Sequence, residues 1–139
     1  MKELILALLA WVIAETGLVM PPPPSVQMIA QAEMNRLSHV DGTTDDNVRA
    51  LYYRPTETVY LRTDWNHAEL QSKAALLHEL VHHVQTRNCV PAPCPAALEK
   101  QAYALTIKWL QQQGVADPYA VLGTDALTIA FRSACPQTE

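Results

Sequence analysis

The chain has 139 residues, 49% of them hydrophobic, and a formal net charge of −4 at pH 7. That length supports one domain with a single modest core. The acidic balance, with its basic residues scattered along the chain, excludes the basic face that a nucleic-acid partner requires.

The N-terminus carries Lys2 and then an apolar run over residues 4–14, with Val12-Ile13-Ala14 offering a small-residue cleavage site before Glu15. The run falls short of the about 20 apolar residues that span a bilayer. Residues 1–14 are therefore expected to be a signal peptide outside the fold, giving a secreted or periplasmic protein with no stable membrane insertion after cleavage. The alternative is an uncleaved anchor or a buried N-terminal helix. Residues 15–24 read as a spacer stiffened by Pro21 to Pro24, and residues 25–139 as the folded domain. That domain is expected to begin with a helix over 25–37 leading into a polar loop around Asp41 and Gly42.

Two short runs rich in Val, Leu and Tyr follow, over residues 48–53 and 58–62, with Pro55-Thr56-Glu57 between them. This pattern predicts a β-hairpin. A helix is predicted from His67 to Arg87, capped by Asp64 or Asn66 and free of Gly and Pro. Leu70, Ala74, Leu77, Val81 and Val84 form one apolar stripe at helical spacing, and Leu76 and Leu80 lie on roughly the opposite side. A helix apolar on two flanks is expected to be buried between layers.

That helix carries His78-Glu79-Leu80-Val81-His82, an H-E-x-x-H motif. Residues i and i+4 stand one turn apart on the same face, so His78 and His82 can offer two imidazoles to one metal ion. Glu79 stands beside them, where a general base would act on water that the metal activates. His83 points away from the pair and is not expected to join the same shell. Catalytic zinc takes three protein ligands, so a third is sought elsewhere.

Residues 95–113 read as the next helix, with Pro95 in its first turn and Gly114 as its stop. Leu98, Ala102, Tyr103, Thr106, Ile107, Trp109 and Leu110 share a face, and Glu99 sits in the middle of it. A lone carboxylate there is costly unless something positive meets it. A metal ion would do so; a salt bridge to Arg62 or Arg132, or a place in the helix dipole, is the alternative. Tyr103, one turn beyond Glu99, is the candidate phenol for the cleft, a packed core tyrosine being the commoner role. Beyond Gly114, Asp117-Pro118 opens a turn or short helix, and Thr124 is expected to cap a last helix ending near Ser133.

Cys89, Cys94 and Cys135 lack C-x-x-C spacing, so no zinc-ribbon or thioredoxin-like site is supported. The arithmetic is one disulfide and one free thiol. Cys94 can pair with Cys89 inside a Pro-rich loop or with Cys135, and the second pairing constrains the unfolded chain more because it closes the larger loop.

H-E-x-x-H on one helix with a glutamate on the next resembles the gluzincin branch of the zincin metallopeptidases. The short step from His82 to Glu99 is similar to that of minigluzincins. The stretches ALLHELVHHVQ and CPAALEKQAYALTIKWLQQQG are similar to an uncharacterised family of short bacterial zincin-like proteins. The resemblance implies His78, His82 and Glu99 as zinc ligands and Glu79 as catalytic base. It also departs from the larger gluzincins, which supply an oxyanion-stabilising Tyr or His from a further subdomain that this chain is too short to hold.

The expectation is thus a small α+β zincin-like domain, mostly helical, with one hairpin beside the active-site helix. It would be a monomer that binds Zn2+ and hydrolyses a peptide or protein substrate. Its rival is an exported zinc-binding interaction protein without turnover.

Overall fold

A computed structural model of the chain describes residues 1–40 and 48–137. The polar loop expected around Asp41 and Gly42 lies outside the described residues. Among the described residues six α-helices and three strands follow one another as α1 (Lys2–Thr16), β1 (Ser25–Ile29), α2 (Gln31–Val40), β2 (Ala50–Tyr53), β3 (Thr58–Arg62), α3 (Leu70–Arg87), α4 (Leu98–Gln112), α5 (Pro118–Leu122) and α6 (Ala126–Arg132). The fold is a small, mainly helical α+β domain.

The hairpin forms as predicted, β2 and β3 pairing antiparallel with Tyr52 opposite Val59. The sheet is nevertheless larger than a hairpin, because β1 pairs parallel with β3 and gives the order β1-β3-β2. The helix expected over 25–37 is corrected accordingly: residues 25–29 are a strand and the helix begins at Gln31. The prolines explain this, since a residue preceding proline is driven to extended backbone and the extended run passes straight into β1.

Strand alternation divides the side chains between two layers. Tyr52, Val59 and Leu61 enter the main core with Leu76, Leu77, Leu80, Val81 and Val84 of α3 and Trp109 and Leu110 of α4. Leu51 and Tyr60 point the other way, against Met34 and Leu37 of α2. The burial of Leu76 and Leu80 together with Leu77 and Val81 makes α3 the central helix that its two apolar flanks predicted.

The start of α3 is shorter than expected. Asn66 Oδ1 accepts from the Ala68 N–H at 2.9 Å, and the Asn66 N–H donates to Ser72 Oγ at 3.1 Å. The asparagine thus turns the chain locally in place of capping a helix at His67, and the helix opens at Leu70.

Residues 2–16 form helix α1 in the full chain, packed on α3, with Ile5, Leu8, Leu9 and Val12 buried in the main core. In the uncut chain the segment expected as a signal peptide thus contributes side chains to the core. Trp11 Nε1 donates to Gln112 Oε1 at 2.8 Å, and Lys108 pairs with Glu15 at 2.5 Å. Among the described residues no helix is long and apolar enough to cross a membrane.

The extended run after α1 is held from α3. Asn88 both accepts from the Val19 N–H and donates to the Val19 carbonyl, each at 2.9 Å. His83 Nε2 lies 2.7 Å from the Pro22 carbonyl, which can only accept, so Nε2 carries the proton. His83 Nδ1 is then the acceptor for the Tyr52 hydroxyl at 2.9 Å. These contacts tie β2, α3 and the entry to β1 together.

Candidate metal centre

His78 and His82 sit on one face of α3 with ring centroids 5.0 Å apart. Glu99, in the first turn of α4, reaches between them: Oε2 lies 3.0 Å from His78 Nε2 and Oε1 lies 2.5 Å from His82 Nε2. One ligand atom from each of the three residues falls within 4.8 Å of the others, so the group can hold a metal ion. Glu99 therefore meets the histidines and neither arginine considered for it. Arg62 is engaged by Asp64 and Gln31, and Arg132 donates to Tyr103.

The donor set suits a borderline-soft dication such as zinc: two imidazoles and one carboxylate. Ligand atoms in a tetrahedral shell with bonds of about 2.0–2.2 Å stand roughly 3.3–3.5 Å apart. Replacing the shared protons by an ion thus asks the Glu99 carboxylate to withdraw by about 1 Å or less.

Gln85 completes the arrangement. It is 1% exposed, and its Oε1 accepts from His82 Nδ1 at 2.9 Å. Its amide nitrogen donates to the Leu98 carbonyl at 3.0 Å and to Gln101 Oε1 at 2.9 Å. Two acceptors on the nitrogen fix the orientation of the amide, and that orientation fixes His82 with Nε2 facing Glu99. One side chain thereby aims a ligand and joins α3 to the start of α4. Sequence reasoning passed over Gln85, although its place three residues after His82, on the same helical face, was a usable signal.

The electrostatics follow from this packing. Burial works against a charged His82, yet the Glu99 carboxylate and the charge of Glu79 overcome it and hold the imidazole up at about 9. Burial likewise opposes the charge on Glu99, but the hydrogen bonds from His78 and His82 keep its carboxyl well below the ordinary range. Glu79 shifts the other way. Burial raises its carboxyl, with Glu99 adding to the rise, against the pull of the two histidines and a backbone hydrogen bond from Tyr52. That last contact puts β2, an edge strand of the sheet, beside the motif.

Tyr103 stands with the cluster, its ring edge-on to His78 at a centroid distance of 4.6 Å. Burial raises its phenol, and Arg132 draws it partly back. The sequence offers Arg132 only as a partner for Glu99; its contact with Tyr103 spans 29 positions and has no local signal. His83, bonded to Tyr52 and Pro22, takes no part in the cluster.

The disulfide joins Cys94 to Cys135, with Cα atoms 5.8 Å apart, and Cys89 is free and exposed. The bond links the start of the Glu99 helix to the segment beyond α6. That last helix is capped by Asp125, which accepts from the Thr128 N–H at 2.7 Å, and not by Thr124.

Across residues 1–139 the chain matches the profile of the family described as "Domain of unknown function (DUF6647)", and it belongs to that family. No curated protein and no solved structure matches it.

Proposed function

We propose that the chain is a zinc-dependent metallopeptidase of the zincin type, exported and acting on a peptide or protein substrate. The observation that carries this reading is the convergence of His78, His82 and Glu99 on one point, with the Glu79 carboxyl beside it. Among the described residues no fourth His, Cys, Asp or Glu joins that group. An open position favours turnover over a closed, purely structural site. The disulfide supports an oxidising compartment.

His78, His82 and Glu99 would hold the ion, His82 aimed by Gln85. Zinc, when bound, supplies a Lewis acid that polarises a carbonyl and makes water acidic near neutral pH. Glu79 accepts the proton of the attacking water on its carboxylate and delivers it to the departing amine nitrogen as the C–N bond breaks. Burial raises its pKa, and a carboxylate that holds its proton more tightly is the better base for the first step. The Tyr103 phenol, protonated at neutral pH, donates to the oxygen on which negative charge develops. The edge strand β2 offers main-chain groups for an extended substrate, and such pairing is tolerant of sequence.

Elemental analysis and a casein hydrolysis assay on the purified full chain test the reading together. Wild-type protein should carry about one zinc per chain and cleave casein. Glu79→Gln should keep its zinc and lose hydrolysis, because an amide cannot accept the proton. Persistent cleavage by that variant would refute the mechanism, and absence of zinc uptake would refute the centre.

A further inference from the structure

We propose that Arg132 is a positioning residue for the metal-binding cleft, fixing the Tyr103 phenol from a helix that the Cys94–Cys135 disulfide anchors. Arg132 Nη1 lies 3.0 Å from Tyr103 Oη. A guanidinium has no acceptor, so the phenol oxygen receives this hydrogen bond. The phenol hydrogen is thereby left for a different acceptor. The Tyr103 ring meets His78 edge-on with centroids 4.6 Å apart, which puts the ring beside one of the residues of the metal-binding group.

Arg132 is the last residue of α6, a helix of 7 residues with no buried side chain of its own. So short a helix has little intrinsic stability, and its place depends on what ties it down. The disulfide does so three residues later, joining Cys135 to Cys94 just ahead of α4, the helix that carries both Glu99 and Tyr103. The covalent bond and the Arg132–Tyr103 contact therefore close a circuit between α4 and α6. Cutting the first should release the second while leaving His78, His82 and Glu99 in place, because α3 and Gln85 hold those.

The use of the phenol hydrogen on a substrate oxygen rests on the peptidase reading above; the positioning does not. A double-mutant cycle separates the two. Thermal unfolding of the metal-free full chain is measured for Arg132→Met, which has no donor, Tyr103→Phe and the double variant, first with the disulfide and then in the Cys94→Ser/Cys135→Ser background. With the disulfide, the double variant should lose no more Tm than the worse single variant, since both changes delete one contact. Without it, the cycle should show no coupling. Additive losses in the disulfide-bonded protein, or coupling that survives disulfide removal, would overturn the proposal.

On zinc-loaded protein with casein as probe, Arg132→Met should lower kcat about tenfold or more with KM little changed. Arg132→Lys, which keeps a donor, should recover part of the loss. A raised KM with intact kcat would overturn the proposal by marking Arg132 as an ordinary substrate contact. Coupling in the cycle from a wild-type protein that cleaves nothing would instead refute the peptidase reading and leave the positioning standing.

Discussion

His82 donates from both ring nitrogens in the metal-free protein, to Gln85 Oε1 and to Glu99 Oε1, and so behaves as an imidazolium. Against its burial, the Glu99 and Glu79 carboxylates raise its pKa from the ordinary imidazole value of about 6.5 to about 9, so the stability it contributes is complete below about pH 6.5 and is lost as pH rises through 9. Glu99 is depressed, so its contribution is present above about pH 4.5, its ordinary value, and fades as the medium becomes more acidic. The metal-free centre should accordingly add most stability between about pH 4.5 and 6.5. A metal ion must displace the His82 proton, so zinc binding at pH 7 should release about one proton, and apparent affinity should rise with pH until about 9. Calorimetric titration in buffers of different ionisation enthalpy measures the release directly; a value near zero would mean that His82 is already neutral. The three residues of the candidate centre could be picked out in the sequence because helical spacing pairs the histidines and because Glu99 interrupts an apolar face. Gln85 and Arg132 could not. A buried amide has no signature beyond its register, and the Tyr103–Arg132 contact depends on how α6 returns to α4.

Helix α1 shows what changes when an element is read in isolation and then in its packing. Its composition fits a leader peptide, and a buried N-terminal helix was the alternative reading; in the full chain its Leu9 and Val12 are 0% exposed. Leu9→Ala in the uncut protein should cost about 2–5 kcal/mol, the range for truncating a buried leucine. Urea unfolding of the full chain measures this, and a change below about 0.5 kcal/mol would mean that the helix is not docked in solution. A chain beginning at Glu15 should lose that cover from α3 and bind a hydrophobic dye. The central helices and the hairpin were readable because their apolar periods run long and their turn residues are strong. β1 was not, because its five residues are mostly exposed and their pairing partner lies 33 positions on, with Ser25 opposite Thr58. No local period can reveal a parallel partner.

Two cross-links organise the whole molecule, and they overlap at the start of α4. The ligand cluster joins α3 to Glu99, and the disulfide joins Cys94 to Cys135 across a separation of 41 residues. A loop of that size is worth at most about 4 kcal/mol through restriction of the unfolded chain, a large share of the roughly 5–15 kcal/mol that holds a typical domain folded. Zinc at a thousandfold excess over its Kd would add a comparable amount, about 4 kcal/mol. The two need not act together. Glu99 is held by its own helix, whose Ala102, Thr106, Trp109 and Leu110 are buried, and by the Gln85 bond to the Leu98 carbonyl. The Cys94→Ser/Cys135→Ser protein should therefore be less stable by up to about 4 kcal/mol and yet gain the same increment from zinc as the wild type. Denaturant midpoints for both proteins, with zinc and with a chelator, give all four numbers. Equal zinc increments would assign the disulfide to α6 and its Arg132, while a collapsed increment in the variant would mean that the bond also holds Glu99 in reach of the histidines.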